Sequence, residues 1–130
     1  MSAPTPGFEL AQIGQIAVPV NEISRAVAFY RDILGMRFLF QFGNLAFFDC
    51  AGVRLLLDVP EQPEFKQHSS VIYYKVADIQ AACDTLISRG VSFEEKPHLI
   101  AKMPDHDLWM AFFRDPDRNM LALMSEVRNS

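Results

Sequence analysis

Laid over itself with an offset of 56 residues, the sequence repeats: Ile16 meets Ile72, Val20 meets Val76, Ile23 meets Ile79 and Ala26 meets Ala82. Beyond the first helical stretch the offset falls to 55, where Gly35 meets Gly90 and Phe38 meets Phe93. A duplicated order of elements leaves few architectures open, because each half must fold as the same unit and bury the same face.

The unit is read from hydrophobic periodicity. In IGQIAVPV, Ile16, Val18 and Val20 share one strand face and Gln15 and Ala17 the other. Asn21 is expected to cap a helix in which Ile23, Ala26, Val27, Tyr30, Ile33 and Leu34 recur at three- and four-residue steps, with Gly35 as its stop. RFLFQF, LAFFDC and VRLLLDV then read as three strands. PEQPEFKQHSS, residues 60–70, reads as a linker because of its prolines and polarity. The pattern restarts with the strand VIYYKV, a helix opening at Asp78 and ending on Gly90, and the strands VSFEE, LWMAFF and MLALM. The last two are joined by a turn over Asp115–Asn119. The expected fold is α+β: two βαβββ modules, 11–59 and 71–126, forming a cup, preceded by a flexible arm at 1–10.

Charge and composition then exclude classes of partner. Lys plus Arg number 12 against 16 for Asp plus Glu, a net charge of −4 without a basic stripe, which argues against nucleic acid. Apolar runs stop far short of the ~18 residues of a membrane span. The opening MSAPTPGFEL lacks the basic start and apolar core of an export signal, so a cytoplasmic protein is expected. Cys50 and Cys83 read as buried, unpaired small hydrophobes.

Within each module one sheet face packs on the helix, and the other needs a purpose. If the modules curl toward each other, the second faces line a shared surface that includes Gln15, Arg54, Leu56, Asp58, Val71, Tyr73, Lys75, Met120, Ala122 and Met124. Mostly apolar walls with a few polar groups are the character of a small-molecule site. A solvent-facing or dimer-facing sheet surface would show the same pattern.

QIAVPVNEISRAVAFYRDILGM, VADIQAACDTLISRGV and FFRDPDRNMLALMSE together resemble the vicinal oxygen chelate superfamily, which includes glyoxalase I, bleomycin-resistance proteins, extradiol dioxygenases and methylmalonyl-CoA epimerase. The resemblance covers nearly all of residues 11–126. It implies a cup of two βαβββ modules, a homodimer, and a divalent metal held by up to four inward side chains. The corresponding positions here are Gln15, Leu56, Val71 and Ala122. Leu, Val and Ala carry no donor atom, so the family's metal chemistry is not expected and no cofactor is assigned. The late turn usually reads DPDGN in the family, and Arg118 stands at the glycine; a positive φ there would cost Arg roughly 1 kcal/mol.

Among other chemistry-bearing residues, His98 and His106 flank LIAKMPD, while His68 falls in the linker. His98 could act as a metal-free general base, with Tyr73 as an acid beside it. Arg54 and Lys75 suit an anionic ligand, although an Arg54–Asp58 ion pair would compete. Trp109, Phe112 and Phe113 form an aromatic patch suited to core packing or to ligand stacking. Neither a nucleophile elbow nor a glycine-rich phosphate loop occurs. The functional expectation is a protein that binds a small apolar or anionic molecule without the family metal, with isomerisation or lysis of that molecule as its catalytic extension. The competing expectation is a metal-dependent lyase, isomerase or dioxygenase using Gln15 with displaced ligands such as His98 and His106, and a third is sequestration without turnover.

Overall fold

The computed structural model describes residues 11–61 and 70–128; the arm at 1–10, most of the linker and His68 lie outside the described residues. The first module runs β1 (Gln15–Pro19), α1 (Ile23–Ala28), a π-helical turn (Phe29–Ile33), β2 (Arg37–Phe42), β3 (Leu45–Cys50) and β4 (Val53–Asp58). The second runs β5 (Ile72–Lys75), α2 (Ile79–Ser88), β6 (Phe93–Lys102), β7 (His106–Arg114) and β8 (Met120–Arg128). Their sheets have strand orders β1-β4-β3-β2 and β5-β8-β7-β6, one topology used twice. In each, the first strand lies parallel to the last and the remaining pairs are antiparallel. The α+β fold of two βαβββ modules is therefore as the repeat required.

Local chemistry explains where the elements begin and end. Asp78 caps α2 by accepting from the Ala81 amide at 3.0 Å. At α1 the cap is Glu22 rather than Asn21: its carboxylate accepts from the Ser24 and Arg25 amides, while the Asn21 amide donates to Asp117 of the other module. The first helix also does not run α-helically to Leu34. From Phe29 it widens, with the Leu34 amide donating to the Phe29 carbonyl at 3.0 Å. The wider turn coincides with Tyr30, which is wholly buried. Gly35 and Gly90 adopt φ of +72° and +94°, as helix-terminating glycines do.

The helix-bearing sides of both sheets share one core. Val18, Phe48 and Leu57 of the first module join Phe113, Leu121 and Leu123 of the second, with Ile79 and Leu86 of α2 above them. Full burial of each such side chain is worth roughly 1.5–3 kcal/mol. A polar latch crosses the same junction. Asp115, itself buried, accepts from the Tyr30 hydroxyl at 2.9 Å, from Asn119 Nδ2 at 2.8 Å and from the Asp117 and Asn119 amides. Asn119 Nδ2 also donates to the Pro19 carbonyl, and Arg25 pairs with Asp117 at 2.8 Å. The module contacts therefore run through the helix side and the Asp115–Asn119 turn, leaving the opposite sheet faces open.

Candidate functional site

Register shows which residues share the open face. Gln15 lies beside Arg54, and Ala17 beside Leu56, across the parallel β1–β4 pair. In the second module Tyr73 lies beside Ala122, and Lys75 beside Met124. Because Ala17 and Tyr73 correspond under the repeat, Leu56 and Ala122 occupy equivalent places. Val71 directly precedes β5 and is exposed, as Gln15 is at the start of β1. The four positions implied by the family resemblance thus fall on open faces, two per module. Their chemistry does not fit a divalent ion, since only Gln15 offers a donor.

Ala122 is fully buried although it faces the open side. Its register partners on either hand are Tyr73 and Phe112, whose rings meet edge to face at 6.2 Å. In the first module Leu56 is flanked by Ala17 and Phe47. Phe47 stacks on Phe40 at 4.6 Å, and the Arg54 guanidinium lies 5.6 Å from the Phe47 ring centre. Arg54 thus takes up the aromatic face, and among the described residues no Arg54–Asp58 pair forms. Phe40 and Phe42 are 49% and 75% exposed, which makes this face an apolar shelf edged by a cation.

Two pairings expected from sequence are not made. His98 pairs with Met110 on β7, four residues from His106, so roughly 13 Å of strand separates the histidines. They cannot serve as a shared ligand set, and among the described residues no three His, Cys, Asp or Glu side chains converge to hold a metal. Nor does Tyr73 stand beside His98: β5 and β6 are opposite edges of the sheet, three strand spacings or about 14 Å apart. His98 Nδ1 lies 2.8 Å from the Lys96 carbonyl, which makes Nδ1 the donor and directs Nε2 toward Glu95 at 3.7 Å. Lys75 pairs with Glu126 at 3.4 Å.

Trp109 shares its face with Ala111 and Phe113 and packs against the core, whereas Phe112 looks to the open side. The aromatic patch is therefore split by strand alternation, and Trp109 does not join the other candidate binding residues. Cys50 is exposed, not buried; Cys83 is buried, and both thiols are free. Burial pushes the phenols of Tyr30 and Tyr74 well above the ordinary tyrosine range, and Asp115 adds to this in both. No helix among the described residues is long and apolar enough to cross a membrane.

Sequence reasoning missed Phe40, Phe42 and Phe47. Alternation along RFLFQF would place Phe38, Phe40 and Phe42 together. A bulge at Leu39 instead turns Phe38 inward onto Phe48 and leaves Phe40 outward opposite Phe47.

Two four-stranded sheets of identical βαβββ topology, with helices on one side and open faces on the other, define a duplicated-module α+β scaffold. The chain belongs to the Glyoxalase/Bleomycin resistance protein/Dioxygenase superfamily, whose family model matches residues 12–123. It is 29% identical over 126 residues to the uncharacterized protein YraH of Bacillus subtilis, covering 84% of this chain and 94% of that one. Among solved structures it is similar to a member of the same superfamily from Sphaerobacter thermophilus, with a TM-score of 0.75, 24% identity, and coverage of 90% and 98% of the two chains. A lactoylglutathione lyase from Agrobacterium tumefaciens gives a TM-score of 0.73 at 19% identity, with coverage of 90% and 95%. At these identities the structural likenesses establish the fold.

Proposed function

We propose that the protein binds a small planar molecule, apolar or anionic, on the open sheet faces, without a metal at the positions where metal-bearing relatives hold one. The supporting observation is the Phe40–Phe47–Arg54 array, exposed on a face where Leu56 stands in place of a ligand. Stacked rings offer sequence-tolerant apolar area, and the guanidinium can meet a carboxylate in two hydrogen bonds. Gln15, beside Arg54, adds an amide for orientation. On the second module Tyr73, Val71, Lys75 and Met124 supply the complementary wall, with the buried Ala122 beneath them. Since the module contacts run through the helix side, one chain presents two half-sites, and a second copy of the chain would join them into one cup. Free thiols suit a cytoplasmic setting.

The test is titration of the protein with 2-naphthoate and with 2-naphthylmethylammonium, alongside elemental analysis after exposure to Zn²⁺, Ni²⁺, Mn²⁺ or Fe²⁺. Saturable binding that prefers the naphthoate and weakens about tenfold in Arg54→Ala is expected. No saturable binding of either probe, or one metal per chain that is lost in Gln15→Ala, would overturn the reading. Sedimentation equilibrium checks the shared cup, which a monomer at tens of micromolar would refute.

A further inference from the structure

The helix side of the second sheet is not fully sealed. Where α2 ends, a pocket of about 340 Å³ remains between α2, β5 and the segment Leu34–Met36 of the first module. Its inner wall is apolar and buried, made by Leu86, Phe113 and Leu123. Thr85 and Arg89 line it too, and both are exposed, which sets them at its rim.

Two polar groups of this pocket are under-used. Arg89 donates through Nη1 to the Ile33 carbonyl at 2.8 Å, which occupies one of the five donors of a guanidinium. Tyr74 is largely buried, and its hydroxyl donates to Met36 Sδ at 3.4 Å. A thioether is a weak acceptor, and buried tyrosine hydroxyls ordinarily find a stronger one. An apolar hollow with a cation at its mouth and an under-bonded phenol in its wall matches an apolar molecule that carries one acid group.

We propose that this pocket is a second binding site, on the opposite side of the sheet from the open face, for a medium-chain monocarboxylate. The chain packs against Leu86, Phe113 and Leu123, and the carboxylate accepts hydrogen bonds from Arg89. The volume lies at the small end of ligand pockets, which favours a chain of medium length over a long one. The inference does not depend on the open-face reading: Lys75 borders both places, but Leu86, Arg89, Phe113 and Leu123, which carry this site, belong to the pocket alone.

The experiment is titration of ¹⁵N-labelled protein with decanoate and with 1-decanol below the concentration at which decanoate forms micelles. Saturable shifts at the C-terminal end of α2 and at Tyr74 are expected with both. Arg89→Met should weaken decanoate at least tenfold while leaving 1-decanol unchanged. Thr85→Phe, which keeps the guanidinium but fills the mouth, should remove both, with circular dichroism showing the fold intact. Arg54→Ala and Phe42→Ala should change neither. Decanoate binding that survives Thr85→Phe and Arg89→Met, that is lost in the open-face variants, or that never saturates would overturn the site.

Discussion

Replacing Tyr30 by Phe tests whether the Asp115 latch holds the modules together. The substitution removes one hydroxyl at a wholly buried position and keeps the ring, including its edge contact with Phe29 at 5.4 Å. Burial keeps the phenol protonated across the working pH range, so the lost interaction is a neutral donor to a carboxylate at 2.9 Å. Hydrogen bonds to charged groups contribute roughly 1.5–3 kcal/mol, and Asp115 retains its bonds from Asn119 and Asp117. A destabilisation of about 2 kcal/mol follows. Asp115→Ala strands the Tyr30 hydroxyl and the Asn119 backbone amide, both buried, and at ~1–3 kcal/mol for each unsatisfied group it should cost roughly 2–6 kcal/mol. The double variant should fall short of the sum by at least ~0.5 kcal/mol, because the two side chains share one bond. Urea unfolding at fixed protein concentration, followed by Trp109 fluorescence, reads these as shifts in midpoint at constant slope. A Tyr30→Phe effect below about 0.5 kcal/mol, or strict additivity, would refute the latch.

Three further outcomes are expected. Arg118 has φ of +69°, so Arg118→Gly should raise stability by up to about 1 kcal/mol, and a loss in the same urea assay would contradict the strain argument. With Cys50 exposed, and Cys83 buried with its thiol pushed up by burial, a thiol reagent such as DTNB should titrate one group per native chain quickly and the second on unfolding; two fast groups would count against this. The hydrogen bond from His106, at 2.7 Å, holds the Asp105 carboxyl below its usual range. The interaction is therefore complete above the ordinary Asp pKa and fades as pH falls through the lower folded value. In His106→Ala the Asp105 midpoint, followed by carboxyl-carbon NMR, should rise, and an unchanged midpoint would count against the bond.

Much of this fold is legible in the sequence, for a physical reason. Strand alternation has period two and helices recur every three to four residues, so Ile16 and Val18 against Gln15 and Ala17 announce which face is buried. Duplication then specified the second module from the first. The same alternation puts Gln15, Arg54 and Leu56 on one side of the first sheet and Tyr73, Lys75, Ala122 and Met124 on one side of the second, the sides that register leaves opposite the core.

What the sequence could not announce depends on residues far apart in the chain. Tyr30 and Asp115 meet across 85 positions, and the Asn21 backbone amide donates to Asp117 across 96, while the neighbouring Glu22 caps the helix. The bulge at Leu39 turns Phe40 outward through pairing with β3, which no local pattern encodes. Sheet order, not spacing, sets Tyr73 and His98 at opposite edges and parts His98 from His106. The sequence alone thus determined two modules and their faces, because periodicity is local. Only the tertiary structure decided how the modules latch, which rings are exposed, and where the pocket beside Arg89 opens, because those follow from long-range packing.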